Sequence, residues 1–104
     1  MNNLLIFGVG LIGGSIAIEC QKKQMFNHVV GVQREGGTSL FPFVSNGMID
    51  RVSDNLNDDI KQADFIVIAT PVAQIRDILT TISPSLSPKT IVIDVGSTKS
   101  NVMH

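Results

Sequence analysis

Residues 4–17 read Leu4-Leu5-Ile6-Phe7-Gly8-Val9-Gly10-Leu11-Ile12-Gly13-Gly14-Ser15-Ile16-Ala17. An apolar run stops at a glycine, and three spaced glycines then lead into a helical pattern. The spacing is G-x-G-x-x-G, at Gly8, Gly10 and Gly13. The motif is weak evidence alone, but a strand before it and a helix after it make it a dinucleotide-binding signature. Gly8 permits the tight turn, Gly10 lets a pyrophosphate approach the backbone, and Gly13 lets the helix pack closely on the strand. The free N–H groups and the dipole at the helix start favour an anion there. Gly8, Gly10, Leu11, Ile12 and Gly13 are therefore the expected pyrophosphate-binding residues. The competing reading is a tight strand-to-helix turn without a ligand.

Outward from this loop, strands and helices alternate. Leu4–Phe7, Val29–Val32, Phe65–Ala69 and Ile91–Val95 are continuous Val/Ile-rich runs, the pattern of parallel strands buried on both faces. Asp50–Ser53 is a weaker candidate strand. Ile12, Ile16 and Cys20 recur at steps of four and predict a helix ending near Gln24. Val72, Ile75, Ile78, Leu79 and Ile82 predict another, opened by Pro71 and barred from continuing by Pro84 and Pro88. Asn57–Ala63 fits a short helix, and Glu35–Asn46 has no readable period. Right-handed crossovers between parallel strands then give an α/β, Rossmann-type doubly wound sheet of about five strands in the order 3-2-1-4-5.

The chain's 104 residues make a single domain. With 8 basic and 9 acidic residues and a net charge of −1, it offers no electrostatic case for nucleic acid or an anionic membrane. No apolar run approaches the length of a membrane span. Met1–Phe7 lacks the basic segment and cleavage site of a signal peptide. One cysteine, Cys20, excludes an internal disulfide and suits a reducing, cytoplasmic setting. Cys20 lies on the apolar helix face without activating neighbours and reads as a buried small hydrophobe rather than a reactive thiol. Two histidines and one cysteine, far apart in sequence, make no metal constellation.

Gln33 stands 20 residues beyond Gly13, at the end of the second strand, where an acidic residue would accept the ribose hydroxyls of NAD. It is neutral, and Arg34 follows it. An arginine pairs with a 2′-phosphate that a carboxylate would repel, so Gln33 and Arg34 point to NADP rather than NAD, with Thr38 and Ser39 as further donors. Two other readings stand beside this one: Glu35 takes the acid's role, or Arg34 is a solvated surface residue.

Ligands of such sheets lie beyond the carboxyl ends of the strands. After the fourth strand, Thr70 and Pro71 either touch the cofactor or cap the next helix. After the fifth, Asp94-Val95-Gly96-Ser97-Thr98-Lys99 offers hydroxyls to a nicotinamide or substrate, or caps a helix toward His104. Asp94 reads as a hydrogen-bonding strand end rather than an acid–base group. His28 reads as structural. Phe41 and Phe43 anchor the unreadable segment on the sheet or line an adenine pocket.

Gly8–Ala17 (GVGLIGGSIA), Asp64–Pro71 (DFIVIATP) and Asp94–Lys99 (DVGSTK) together resemble the prephenate and arogenate dehydrogenase family, in order and spacing over essentially the whole chain. The resemblance implies oxidative decarboxylation of prephenate or arogenate: hydride leaves the ring carbon bearing the 4-hydroxyl, and loss of carbon dioxide aromatises the ring. By the same resemblance Ser97 sits beside nicotinamide and substrate in a supporting catalytic role, and the full-length protein is a homodimer. The family's catalytic histidine in its G-H-P segment, its substrate-binding arginine and its helical dimerisation domain have no counterpart in these residues. The chain is therefore expected to be a truncated cofactor-binding portion, competent for nucleotide and inactive alone. Other readings are the corresponding domain of another small-acid dehydrogenase or imine reductase, and a non-catalytic nucleotide-sensing module.

Overall fold

The computed structural model describes residues 3–8, 11–33, 40–70 and 72–94. The elements are β1 (Asn3–Phe7), α1 (Leu11–Lys22), β2 (His28–Val32), α2 (Phe41–Ser45), β3 (Arg51–Val52), α3 (Leu56–Gln62), β4 (Phe65–Ile68), α4 (Val72–Ile82), a 3₁₀ turn (Ser83–Ser85) and β5 (Ile91–Asp94). The strands form one parallel sheet in the order β3-β2-β1-β4-β5, which is the expected arrangement.

The unbroken apolar runs are explained by alternation into two cores. In β1, Leu4 and Ile6 face a core shared with Ala17 and Cys20 of α1 and with Leu40 and Ile49. Leu5 and Phe7 face the other, with Ile60 of α3 and with Ile75 and Ile82 of α4. β2 and β4 divide in the same way: Val29 and Val67 on the α1 side, Val30, Ile66 and Ile68 on the α3/α4 side. Each fully buried Ile, Leu or Val stabilises the fold by roughly 1.5–3 kcal/mol relative to exposure, so a strand hydrophobic on both faces is held only when both are covered.

Helix ends and turns follow local chemistry. Gln24 adopts a left-handed φ of 53° just after α1, and the Met25 N–H donates to the Cys20 carbonyl at 3.0 Å, closing the helix end. The Asn55 side chain accepts from the Asp58 N–H at 3.2 Å and caps α3. Pro84 does not end ordered structure after α4. It enters the 3₁₀ turn, in an early position where no donor is needed. At the amino end of the sheet, Asp64 Oδ2 accepts the Asn3 N–H at 2.8 Å and Asp50 Oδ2 accepts the Val29 N–H at 2.7 Å. These carboxylates satisfy strand-opening donors that parallel pairing leaves open.

Two side chains depart from expectation. Leu79, placed by spacing on the apolar stripe of α4, is 43% exposed, because Ile75 and Ile82 already fill the contact with the sheet. Phe41 is 70% exposed; Phe43 and Val44 pack against the α1-side core with Leu40 buried beside them. His28 is exposed at the first position of β2. Cys20 is buried as expected; burial pushes its thiol up, Glu19 adds to this and Lys23 opposes it. No described helix is long and apolar enough to cross a membrane.

Candidate nucleotide site at the carboxyl ends of the strands

Strand register brings two of the expected site residues, Gln33 and Gly8, level with each other. Val32 of β2 pairs with Phe7 of β1, Phe7 with Ile68 of β4, and Ile68 with Asp94 of β5. One step further along are Gln33, Gly8 and Ala69, on neighbouring strands spaced about 4.8 Å apart. The Ala69 N–H donates to the Phe7 carbonyl at 2.8 Å, carrying the β1–β4 ladder to the base of the glycine turn.

Gly8 is required there for two separate reasons. Its φ is +88°, the left-handed region that side chains disfavour. A Cβ on it would lie 2.8 Å from the Ala69 carbonyl oxygen and 2.9 Å from Thr70 Cγ2. α1 begins at Leu11, so Leu11, Ile12 and Gly13 form its first turn, where N–H groups lack intrahelical partners. Gly10 lies outside the described residues.

Gly14, to which the sequence reading gave no role, meets Met48 from the segment before β3: a Cβ there would lie 2.8 Å from Met48 Cε. This is the tip of a flexible side chain. Gly14→Ala is accordingly expected to be tolerated, because a Met rotamer shift relieves the contact and alanine gains about 1 kcal/mol of helix propensity. Chemical denaturation showing a midpoint at or above the wild-type value checks this; a loss above about 1 kcal/mol would mean that Met48 cannot move.

Thr70 is 8% exposed. Its Oγ1 is buried and has no hydrogen-bond partner among the described residues. Of the two expected roles, capping the next helix is therefore not what the described part of α4 displays. A buried hydroxyl without a partner costs about 1–3 kcal/mol, and such groups are explained by strain, water or a ligand. It fits a site whose polar partner is a nucleotide.

Gln33 accepts the Leu40 N–H through Oε1 at 3.3 Å. The residue itself is neutral, and Glu35, the alternative for the acid's role, lies outside the described residues. Arg34, Thr38, Ser39, Pro71, Ser97, Thr98 and Lys99 lie outside the described residues. Among the described residues no group of three His, Cys, Asp or Glu side chains could hold a metal ion. A cleft lined by Asn3, His28, Arg51, Asp59 and Gln62 opens at the opposite end of the sheet, where Arg51 and Asp59 bond to each other.

Comparison with known proteins agrees with this geometry. The family model for the nucleotide-binding domain of prephenate dehydrogenase matches residues 16–104. The chain is 32% identical over 103 residues to prephenate dehydrogenase of Bacillus subtilis (strain 168), covering 98% of this chain and 28% of that protein. It is 32% identical over 105 residues to prephenate dehydrogenase of Lactococcus lactis subsp. cremoris (strain MG1363), covering 100% of this chain and 29% of that protein. Among solved structures, prephenate dehydrogenase from A. aeolicus in complex with hydroxyphenyl propionate and NAD+ superposes with a TM-score of 0.78 at 30% identity, over 90% of this chain and 33% of that one. The chain thus spans about a third or less of the length of these relatives. With its parallel sheet, its glycine turn and this family match, the chain belongs to the family of the prephenate dehydrogenase nucleotide-binding domain.

Proposed function

We propose that this chain binds a nicotinamide dinucleotide across the carboxyl ends of β2, β1 and β4. Gly8, Gly10, Leu11, Ile12 and Gly13 receive the pyrophosphate, Gln33 and Arg34 the adenosine ribose, and Thr70 and Pro71 flank the cofactor. The observation that carries this reading is Thr70, whose methyl lies against the Gly8 turn and whose buried hydroxyl has no hydrogen-bond partner among the described residues. NADP is favoured over NAD, because Gln33 is neutral and Arg34 follows it. Bound there, the nicotinamide supplies a two-electron hydride acceptor. The reaction of the whole protein is oxidative decarboxylation of prephenate or arogenate, in a cytoplasmic homodimer, with Ser97 in support near the reacting carbon. The family's G-H-P segment does not occur in these 104 residues, so they bind nucleotide without turning over prephenate.

A thermal-shift titration with NADP, NAD and prephenate tests this, since binding to the native state raises the melting temperature. NADP is expected to raise it most, NAD less, and prephenate not at all. No shift with either nucleotide would sink the reading, and dehydrogenase turnover by this chain would remove the claim of inactivity.

Thr70→Val separates ligand from structure. Losing an unpaired buried hydroxyl is expected to leave stability unchanged or raise it by about 1 kcal/mol, while nucleotide affinity falls about five-fold or more. A destabilised variant with intact nucleotide affinity would assign the hydroxyl to the fold instead.

A further inference from the structure

The two edges of the sheet are built differently. β3, at one edge, has only two residues, and its Arg51 is tied to Asp59 of α3. A short, charged edge of this kind resists further pairing. β5, at the other edge, has four residues and opens with Ile91, Val92 and Ile93, uninterrupted by proline or charge. Ile91 is 50% exposed and Ile93 40%. They lie beside Phe65 and Val67 of β4 on the α1 side of the sheet, whereas Val92 packs on the α3/α4 side. Among the described residues no strand lies outside β5.

The backbone of β5 is self-complementary. The Ile91 N–H donates to the Asp64 carbonyl at 3.0 Å, so Ile91 turns its polar groups toward β4. Strand geometry alternates with a period of two, so Ile93 does the same and Val92 turns its N–H and C=O outward. An antiparallel copy of β5 can exchange both bonds at one point, Val92 against the partner's Val92 on a two-fold axis. That register sets each Ile91 opposite the partner's Ile93 as a non-hydrogen-bonded pair, the kind whose side chains approach more closely. Charge selects the same orientation. Lys89 precedes the strand and Asp94 ends it, so an antiparallel copy brings base toward acid at both ends. A parallel copy would set lysine beside lysine and aspartate beside aspartate.

We propose that this edge is a docking surface for a second copy of this chain, the two β5 strands pairing antiparallel about Val92. The joint sheet gathers the isoleucines of both copies into one apolar patch on the α1 side. Four residues a side bury far less than the roughly 1,200 Å² of a standard interface. The dimer is therefore weak, with a Kd of about 0.1–1 mM.

Sedimentation of the 104-residue chain from about 10 µM to about 1 mM tests this with wild type, Ile91→Lys, Ile93→Glu and an equimolar mixture of the two variants. Both positions are partly exposed, so the new charges stay solvated in the monomer. Wild type is expected to shift from monomer toward dimer over this range, and each variant alone to dimerise at least about ten-fold more weakly. The mixture recovers dimer, because its two new charges are opposite in sign and face each other across the paired strands. Amide exchange at Val92 in wild type is expected to slow as concentration rises. A wild-type chain still monomeric at about 1 mM, or Val92 exchange that ignores concentration, overturns the pairing. Variants that dimerise like wild type place the contact elsewhere on the molecule. A mixture without recovery refutes the antiparallel register, and association that grows past the dimer refutes the closed two-fold.

Discussion

Gly8→Ala is expected to destabilise the chain by about 3 kcal/mol or more, because two costs add at one atom. The first is conformational: φ is +88°, and an L-residue held in the left-handed region loses roughly 1–2 kcal/mol. The second is steric. The new Cβ would stand 2.8 Å from the Ala69 carbonyl oxygen and 2.9 Å from its carbon, and these are backbone atoms with no rotamer to change. Ala69 is tied to β1 by its 2.8 Å bond to the Phe7 carbonyl. Relief therefore requires β1 and β4 to part at their carboxyl ends, in the middle of a sheet whose flanking side chains are fully buried. At about 4–8 °C per kcal/mol for a domain of this size, the melting temperature is expected to fall by about 12 °C or more. Paired thermal melts of Gly8→Ala and Gly14→Ala give the sharpest check, since both add one methyl to a glycine of the same turn-and-helix segment. Equal melting temperatures for the two variants would refute the distinction between a backbone clash and a side-chain one.

The contrast between these two glycines also marks what a sequence discloses. Gly8 was legible because its requirement is local: a strand must turn into a helix within a few residues, and only certain spacings permit it. The strands β1, β2, β4 and β5 were legible for a related reason, since burial on both faces erases alternation and leaves unbroken Val/Ile runs. The strand order followed from handedness. By contrast, α2 has only five residues, with a proline in its opening positions and no side-chain cap, and it is held by Leu40, Phe43 and Val44 packing on a core built elsewhere. No period could announce it. β3 amounts to Arg51–Val52, inside the weak candidate Asp50–Ser53, and two residues are too short for a stronger hydrophobic pattern. In the site, the Thr70 hydroxyl could be named but not assigned, because whether a hydroxyl caps or stays unpaired depends on angles that residue type does not encode. The Gln33–Leu40 bond and the Met48–Gly14 approach cross loops, so no spacing rule reaches them.

Arg51→Ala is expected to cost about 2–3 kcal/mol at neutral pH, with a characteristic dependence on acid. Asp59 is buried on α3, its side chain 8% exposed, and Arg51 reaches it from β3 with two bonds, at 2.6 and 3.2 Å. Ser53 donates a further bond. Burial alone would push the Asp59 carboxyl up; the Arg51 and Ser53 bonds together outweigh burial and hold it below its ordinary value of 3.8. A group whose folded value is depressed stabilises the fold above its unfolded value, and that contribution is lost as pH falls through the folded value. The wild-type chain therefore keeps this stabilisation down to about pH 4 and loses it below. Without Arg51 the buried carboxylate retains only Ser53, and burial dominates. Breaking a fully buried pair costs about 3–5 kcal/mol; Arg51 is 49% exposed, so solvent already screens part of the interaction and the smaller figure follows. The penalty exists only while Asp59 is ionised. Urea denaturation at pH 7 and pH 3 should show a wide gap between wild type and Arg51→Ala at the higher pH and a much narrower one at the lower. Asp59→Asn has no charge to strand and does not titrate, so its stability difference from Arg51→Ala should change between pH 7 and pH 3. A gap between wild type and Arg51→Ala that stays constant from pH 7 to pH 3 would assign Arg51 to packing of its aliphatic stem rather than to the carboxylate it bonds.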